Sequence, residues 1–278
     1  MKNSIIFATV TAALLVLRLC AAPQSEIKVN LTLDEGDYVS GERVRGVVNI
    51  VNASPYKISV GYPNSKDLFF IEVYRQGGEL LDRVSSRKFV ADFSIKSNEG
   101  LKLETFLGDH YGLRSIGSYF AKPILVHNGV RYEGQSRAFD IVPGMEVDNA
   151  LQIFSNEDGL RREFKVLTWS RKHRDHVFLS ARNAGIDNTR FETYDLGQSM
   201  KITRPTISIL PGGEVIIFHR IDSDHFVRSE FWSMRKKLEL YRRDIVRDPE
   251  TAGQNRVREL YEEAGGIDPG ARPWWKVW

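Results

Sequence analysis

Apolar and polar residues alternate along most of the chain from Glu26 onward. Ile27, Val29 and Leu31 are separated by charged or polar residues, and this period of two places the apolar set on one face of a β-strand. Similar runs recur at short intervals, with Gly, Pro, Asn and Asp between them. The pattern therefore predicts a mostly β fold of antiparallel strands. The further strands predicted for the first half are 44–51, 57–60, 68–74, 79–84, 101–107, 119–127 and 138–142.

Two turns are predicted with particular clarity. Asn128-Gly129 lies between the apolar run 124–127 and the run 130–132, and a type I′ hairpin turn requires the positive φ that these residue types adopt readily. Pro211-Gly212-Gly213 separates the apolar runs 207–210 and 215–218, which predicts a second hairpin.

The second half repeats the strand pattern after a break near Pro143-Gly144. Residues 144–160 are predicted to form a linker between the two halves. Its apolar residues Val147, Ala150, Leu151 and Phe154 fall at helical spacing, which favours a helix. Beyond Pro249, apolar residues on one face and the stop signal Gly265-Gly266 predict a short C-terminal helix. The strands predicted for this half are 164–169, 177–181, 191–194, 206–210, 214–219, 226–232 and 238–243.

The N-terminus predicts export. Lys2 is followed by the apolar run 5–17 and by Ala21-Ala22, the arrangement of a secretory signal peptide, so the protein is expected to be secreted or periplasmic. A lipid anchor on Cys20 is the alternative. Cys20 is the only cysteine, so cleavage after Ala21 would exclude disulfides, thiolate catalysis and Cys-ligated zinc.

These patterns give the predicted organisation of the whole chain. The segments are 1–22 signal peptide, 23–143 β-sandwich, 144–160 linker, 161–248 β-rich domain, and 249–278 C-terminal helix with a Trp-rich tail.

The first half resembles a known family. The turn 33–41, Gly41-Glu42, the strand 44–51 and Gly117-Ser118-Tyr119 resemble extracytoplasmic bacterial Ig-like domains of the macroglobulin type, and also chagasin-like protease inhibitors. The resemblance implies an Ig-like antiparallel β-sandwich in which the Tyr119 hydroxyl ties back to the backbone. It is compatible with adhesion, scaffold, inhibitor and carbohydrate-binding roles. The second half resembles uncharacterised secreted bacterial β-rich proteins.

Charge excludes some partner classes. The chain has 39 basic and 36 acidic residues, and removal of Lys2 and Arg18 with the signal peptide leaves 37 against 36, a net charge of +1. The signs are interspersed, whereas a nucleic-acid partner calls for a basic surplus or stripe. No apolar run after the signal peptide reaches membrane-spanning length.

Candidate catalytic chemistry is sparse. The chain has no Gly-x-Ser-x-Gly, P-loop or Gly-x-Gly-x-x-Gly motif, which argues against elbow-type serine, phosphate-loop and dinucleotide chemistry. Glycoside hydrolysis by two carboxylates that are distant in sequence stays an open alternative. We therefore expect no enzyme, no catalytic residues and no cofactor.

Histidines supply the candidate metal ligands. His173 with His176, and His219 with His225, lie in two polar stretches whose side chains suit zinc, but neither stretch has a known ligand spacing. We therefore predict polar loops there rather than a metal site.

Trp274, Trp275 and Trp278 are the other candidate feature. They either fill a gap in the second domain's core or form a recognition surface for a sugar or a protein. We prefer the interpretation that they pack in the core of the second domain, because exposing an apolar patch to solvent is costly.

The expected function is therefore that of an exported, non-catalytic binding or structural protein that engages a protein or glycan partner. A protease inhibitor using the sandwich loops 61–67 and 109–118 is one alternative. A hydrolase in the second domain, involving His219 or Asp224, is the other.

Overall fold

The computed structural model describes residues 26–154, 160–184, 191–201, 203–235 and 237–247. Within these ranges the chain forms eighteen β-strands and one 3-10 turn, Leu107–Asp109, which confirms the prediction of a mostly β fold. The strands are β1 Ile27–Leu33, β2 Asp37–Val39, β3 Arg45–Asn52, β4 Ile58–Val60, β5 Leu68–Arg75, β6 Phe93–Ile95, β7 Glu99–Phe106, β8 Gly117–His127, β9 Val130–Glu133, β10 Arg137–Val142, β11 Met145–Ile153, β12 Arg161–Arg171, β13 Arg174–Ala184, β14 Phe191–Ser199, β15 Thr206–Ile209, β16 Glu214–Arg220, β17 Phe226–Met234 and β18 Lys237–Val246.

Several predictions fall outside the described residues. These are the signal peptide 1–22 with Cys20, part of the linker, and the C-terminal helix and Trp-rich tail, 249–278. Within the described ranges, no helix has the length and hydropathy that crossing a membrane requires.

The chain forms two compact units that interleave along the sequence. The first unit comprises the described part of Met1–Asp34 with Arg45–Phe106 and Phe120–Ala138. The second comprises Glu35–Val44, Leu107–Tyr119 and the described part of Phe139–Trp278.

The first unit contains the antiparallel sheet β1-β3-β7. Val29 faces Ile50 and Leu31 faces Val48 across β1 and β3, and all four side chains are buried. The alternation in the sequence thus selects the face that enters the core, as predicted. One predicted strand is wrong: residues 79–84 form no strand, and Leu80 makes an isolated bridge with Tyr74.

In the first unit, β8 pairs with β5 and with β9, and in the second unit β10 pairs in parallel with β2. The predicted hairpin between β8 and β9 is confirmed, since Asn128 and Gly129 have φ values of 50° and 78°. The predicted role of Tyr119 in the second unit is also confirmed. Its buried hydroxyl donates to the backbone oxygen of Ser115 at 2.7 Å.

The second unit contains two four-stranded antiparallel sheets, β11-β12-β13-β14 and β15-β16-β17-β18. One core joins them, with Phe164 and Leu179 from the first sheet and Val215, Ile217 and Phe231 from the second. The predicted hairpin at Pro211-Gly212-Gly213 connects β15 to β16.

The predicted helix in the linker 144–160 is wrong for Met145–Ile153, which is the strand β11. A register shift between Glu146 and Asp148 against β12 marks a β-bulge. The extra residue allows Val147 and Ala150, three positions apart, to pack against the same core. A bulged strand therefore mimics the helical spacing of apolar residues.

Segment Glu35–Val44 packs within the second unit against the outer side of β12 and β13. Val39 contacts a small core with Leu167 and Phe178. Beside it, the Arg171 side chain, only 3% exposed, donates to both carboxylate oxygens of Glu42 at 3.2 and 2.7 Å. Burial raises the pKa of Glu42, and the hydrogen bond from Arg171 opposes that rise.

Candidate binding surface

Strand β5 in the first unit presents a mixed aromatic and polar face. Ile71 and Val73 are completely buried, whereas Phe70, Glu72 and Tyr74 are only partly buried. Because strand side chains alternate between faces, these three side chains share the side of the sheet away from Ile71 and Val73.

The β8–β9 hairpin adds two charged residues to this side. The turn at Asn128-Gly129 sets a register in which Arg131 faces Val126 and Glu133 faces Ile124. Arg131 and Glu133 are two positions apart on β9, so they lie on one face. Strand β8 lies beside both β5 and β9, which brings the two polar sets within reach of each other.

A continuous chain of charged hydrogen bonds crosses these three strands. One terminal nitrogen of Arg131 donates to both carboxylate oxygens of Glu72 at 3.0 Å, and its Nε donates to Glu133 at 2.6 Å. Glu133 also pairs with Lys122 on β8. At the other end, the Tyr74 hydroxyl donates to Glu72 at 2.5 Å.

The Arg131 guanidinium also lies 5.7 Å from the centre of the Phe70 ring, within the range of a cation–π contact. The side chains of Arg131 and Glu133 remain 43% and 40% exposed. We call the surface formed by Phe70, Glu72, Tyr74, Lys122, Arg131 and Glu133 the Arg131 face.

The electrostatics of the Arg131 face follow from these contacts. Hydrogen bonds to Glu133 and Glu72 raise the pKa of Arg131, and the hydrogen bond to Glu72 raises the pKa of Tyr74. The cations of Lys122 and Arg131 lower the pKa of Glu133. Arg131 and Glu133 are thereby held in their charged forms, and the Tyr74 phenol in its neutral form. The surface offers fixed donors and acceptors beside an aromatic ring, which suits binding.

The first histidine pair lies at the β12–β13 hairpin. Lys172 and His173 form its turn, with φ values of 50° and 64°. His176 lies on β13, where its Nδ1 is 3.1 Å from Asp195. Asp195 also accepts from Arg171 at 3.2 Å, so this histidine belongs to the charged cluster around Arg171.

The second histidine pair lies at the β16–β17 hairpin. His219 is 2% exposed, and burial, followed by the positive charge of Arg243, lowers its pKa to about 4. His225 is in the turn, where its Nδ1 lies 2.8 Å from Asp222, and Asp224 donates its backbone NH to the same carboxylate. In the described part of the chain, no three or more His, Cys, Asp and Glu side chains are grouped to hold a metal ion.

The predicted loop 61–67 in the first unit ends at a buried anchor. Asp67 accepts from the backbone NH of Ser59 at 3.0 Å and lies 2.9 Å from the Nδ1 of His127. Asp67 and His127 are both more than nine-tenths buried, while Tyr62 in the loop is 47% exposed. The predicted loop 109–118 belongs to the second unit, where the backbone oxygen of Arg114 accepts from the Ser40 hydroxyl at 2.8 Å.

Sequence reasoning missed the Arg131 face. The available signals were the alternation of Phe70, Glu72 and Tyr74 and the placement of Arg131 directly after an Asn-Gly turn. Neither signal says that β5 and β9 both pair with β8, and that arrangement is what joins residues 59 positions apart.

Comparison with protein-family models finds no match, and no curated protein matches the chain. Among solved structures, the chain is similar to Spo0M, a sporulation control protein from Bacillus subtilis. The TM-score is 0.32 and the identity 11%, over 86% of this chain and 98% of that chain. A likeness at this level carries no argument about function.

Proposed function

We propose that this protein is an exported, non-catalytic binding protein that engages a glycan through the Arg131 face. The observation that carries the proposal is the position of Phe70 beside the Arg131–Glu72 hydrogen bonds on an open sheet face. The signal-peptide pattern at the N-terminus supports export, since a secreted or periplasmic protein meets polysaccharides directly.

A sugar matches this surface for a chemical reason. Each hydroxyl group both donates and accepts a hydrogen bond, so neighbouring hydroxyls can pair with a guanidinium and a carboxylate together. The C–H faces of a pyranose ring can stack on Phe70 or Tyr74, which offer a rigid apolar surface. A sugar can bind without breaking the ion pairs of this network, because the side chains of Arg131 and Glu133 are already partly exposed to solvent.

Fixed geometry also favours recognition over a purely structural role for these ion pairs. An isolated exposed pair contributes at most about 1 kcal/mol to stability. Here five side chains on three strands orient one another, which lowers the entropic cost of binding because the groups are already in place.

The test is binding of the full mature chain to a polysaccharide panel by affinity gel electrophoresis, followed by calorimetry. The panel contains peptidoglycan fragments, chitin oligomers, xylan, mannan and β-glucans. Arg131→Lys keeps the charge but loses the planar guanidinium, so we expect binding to weaken about tenfold. Phe70→Ala should have a similar effect through the lost stacking surface.

The matched control is Arg45→Lys. Arg45 pairs with Glu104 at 2.6 Å on the β3–β7 sheet with similar exposure, and its removal should leave binding unchanged. Failure to retain any panel member, or equal losses in the control and Arg131 variants, would overturn the proposal.

A protease inhibitor remains a second candidate, favoured by the loop 61–67 alone. The buried Asp67–His127 pair fixes one end of the loop, and Tyr62 projects from it with 47% of its surface exposed. A rigid loop with a projecting side chain suits insertion into a protease cleft. Inhibition of a panel of secreted proteases, lost in Tyr62→Ala but retained in Tyr56→Ala, would support this function; no inhibition at micromolar concentration would remove it.

A further inference from the structure

A pocket of about 380 Å³ opens on the outer side of β12 and β13 in the second unit. Its volume lies in the range of small-molecule sites, roughly 300–1,000 Å³. The residues that line it include Gly144, Glu146, Glu163, Lys165, Ser180 and Arg182.

The two strands build the floor of the pocket from adjacent pairs. Lys165 faces Ser180 and Glu163 faces Arg182 across β12 and β13. Gly144 forms part of the wall with a φ of 68°, and an added Cβ there would lie 3.2 Å from Leu167. A side chain at this position would therefore be strained and would crowd the pocket.

The four charged side chains of the pocket differ in whether they have a hydrogen-bond or ion-pair partner. Lys165 pairs with Glu146 at 2.6 Å, and Glu146 also accepts from Asn149 at 2.9 Å. By contrast, Glu163 and Arg182 pair through their backbones only, and their side chains make no hydrogen bond or ion pair with any residue in the described ranges. Side chains directly opposite on antiparallel strands have Cβ atoms about 5 Å apart, so one free carboxylate and one free guanidinium stand side by side.

We propose that this pocket binds a small zwitterion of the α-amino-acid type. The ligand carboxylate pairs with the Arg182 guanidinium, which matches it in planar geometry. The ligand ammonium pairs with Glu163, and the buried Ser180 lies two residues before Arg182 on the same face of β13.

Charge balance selects this ligand class over the alternatives. A simple anion is attracted by Arg182 but repelled by Glu163 and Glu146. A simple cation is attracted by the two carboxylates but repelled by Arg182. A neutral ligand with two separated opposite charges satisfies both free groups at once. This site is separate from the Arg131 face, so the two proposals stand or fall independently.

The test is calorimetric titration of the full mature chain with leucine, N-acetyl-leucine and leucinamide. Leucine carries both charges, whereas each derivative lacks one, so we expect the derivatives to bind at least tenfold more weakly. Arg182→Gln and Glu163→Gln should each weaken leucine binding about tenfold to a hundredfold. Arg174→Gln is the matched control, because Arg174 is an exposed arginine on the same strand that bonds to Gln198 instead.

Saturable leucine binding lost in both pocket variants and retained in the control establishes the site. Equal binding of the three ligands, unchanged affinity in both pocket variants, or no saturation by leucine up to 10 mM would overturn the proposal. Melting curves check that the variants fold, and Arg182→Lys replaces Arg182→Gln if the latter does not.

Discussion

His219 should make the stability of the protein fall in mild acid. The side chain is 2% exposed on β16, and burial together with Arg243 lowers its pKa to about 4. In the unfolded chain the pKa returns to about 6.5. Between these values the unfolded state binds a proton that the folded state does not, so acidification favours unfolding.

The size of the effect follows from the two pKa values. Full stabilisation by neutral His219 is present above pH 6.5 and is lost as the pH falls toward 4. Each pH unit within that window costs up to about 1.36 kcal/mol, so a change from pH 7.5 to pH 4.5 should cost about 2.5 kcal/mol of unfolding free energy through this residue alone.

The assay is urea unfolding at pH 7.5 and pH 4.5 for the natural protein and for His219→Leu, which removes the titrating group. The same carboxylates titrate in both proteins, so their contribution to the unfolding free energy cancels when the two acid losses are subtracted. The variant should lose about 2.5 kcal/mol less on acidification, while His225→Gln, in the exposed turn, should keep the steep dependence. Equal acid losses in the natural protein and His219→Leu would show that His219 does not cause the acid sensitivity.

Three further predictions concern stability measured by urea unfolding. Arg171→Met leaves Glu42 buried without its partner and should cost about 3–5 kcal/mol, and the double variant Arg171→Met/Glu42→Leu should recover most of it; no recovery would contradict this account of the pair. Gly129→Ala should cost about 1–2 kcal/mol of unfolding free energy through backbone strain, because φ is 78° at this position. A steric clash adds nothing, since an added Cβ would have no neighbouring atom within 4 Å. Tyr119→Phe should cost about 1 kcal/mol for the lost bond to Ser115, and an unchanged stability would show that the bond is not needed.

Much of the fold follows from local pattern. Alternating apolar residues predict most of the strands because one face of each strand enters a core, and the Asn-Gly and Pro-Gly-Gly turns predict two hairpins because those residues accept the required φ values. Strand β11 is an exception that the apolar pattern predicts wrongly, since its bulge changes the spacing of Val147 and Ala150 from strand-like to helix-like.

Long-range features could not be predicted from the sequence. Segment Glu35–Val44 belongs to the second unit through the Arg171–Glu42 pair, which joins residues 129 positions apart. Arg162 is 1% exposed and bonds to Ser233 and to backbone oxygens of the β17–β18 turn, although an arginine normally predicts a surface position. In the same way, the Arg131 face depends on the order of strands in a sheet.

Glycan binding by the Arg131 face is tested most sharply by the dissociation constant for a retained polysaccharide, measured for residues 23–278 and for the Arg131→Lys and Arg45→Lys variants. We expect the Arg131 variant to bind about tenfold more weakly, while the Arg45 variant binds like the natural protein. Equal affinities in all three proteins would contradict the assignment of glycan binding to the Arg131 face.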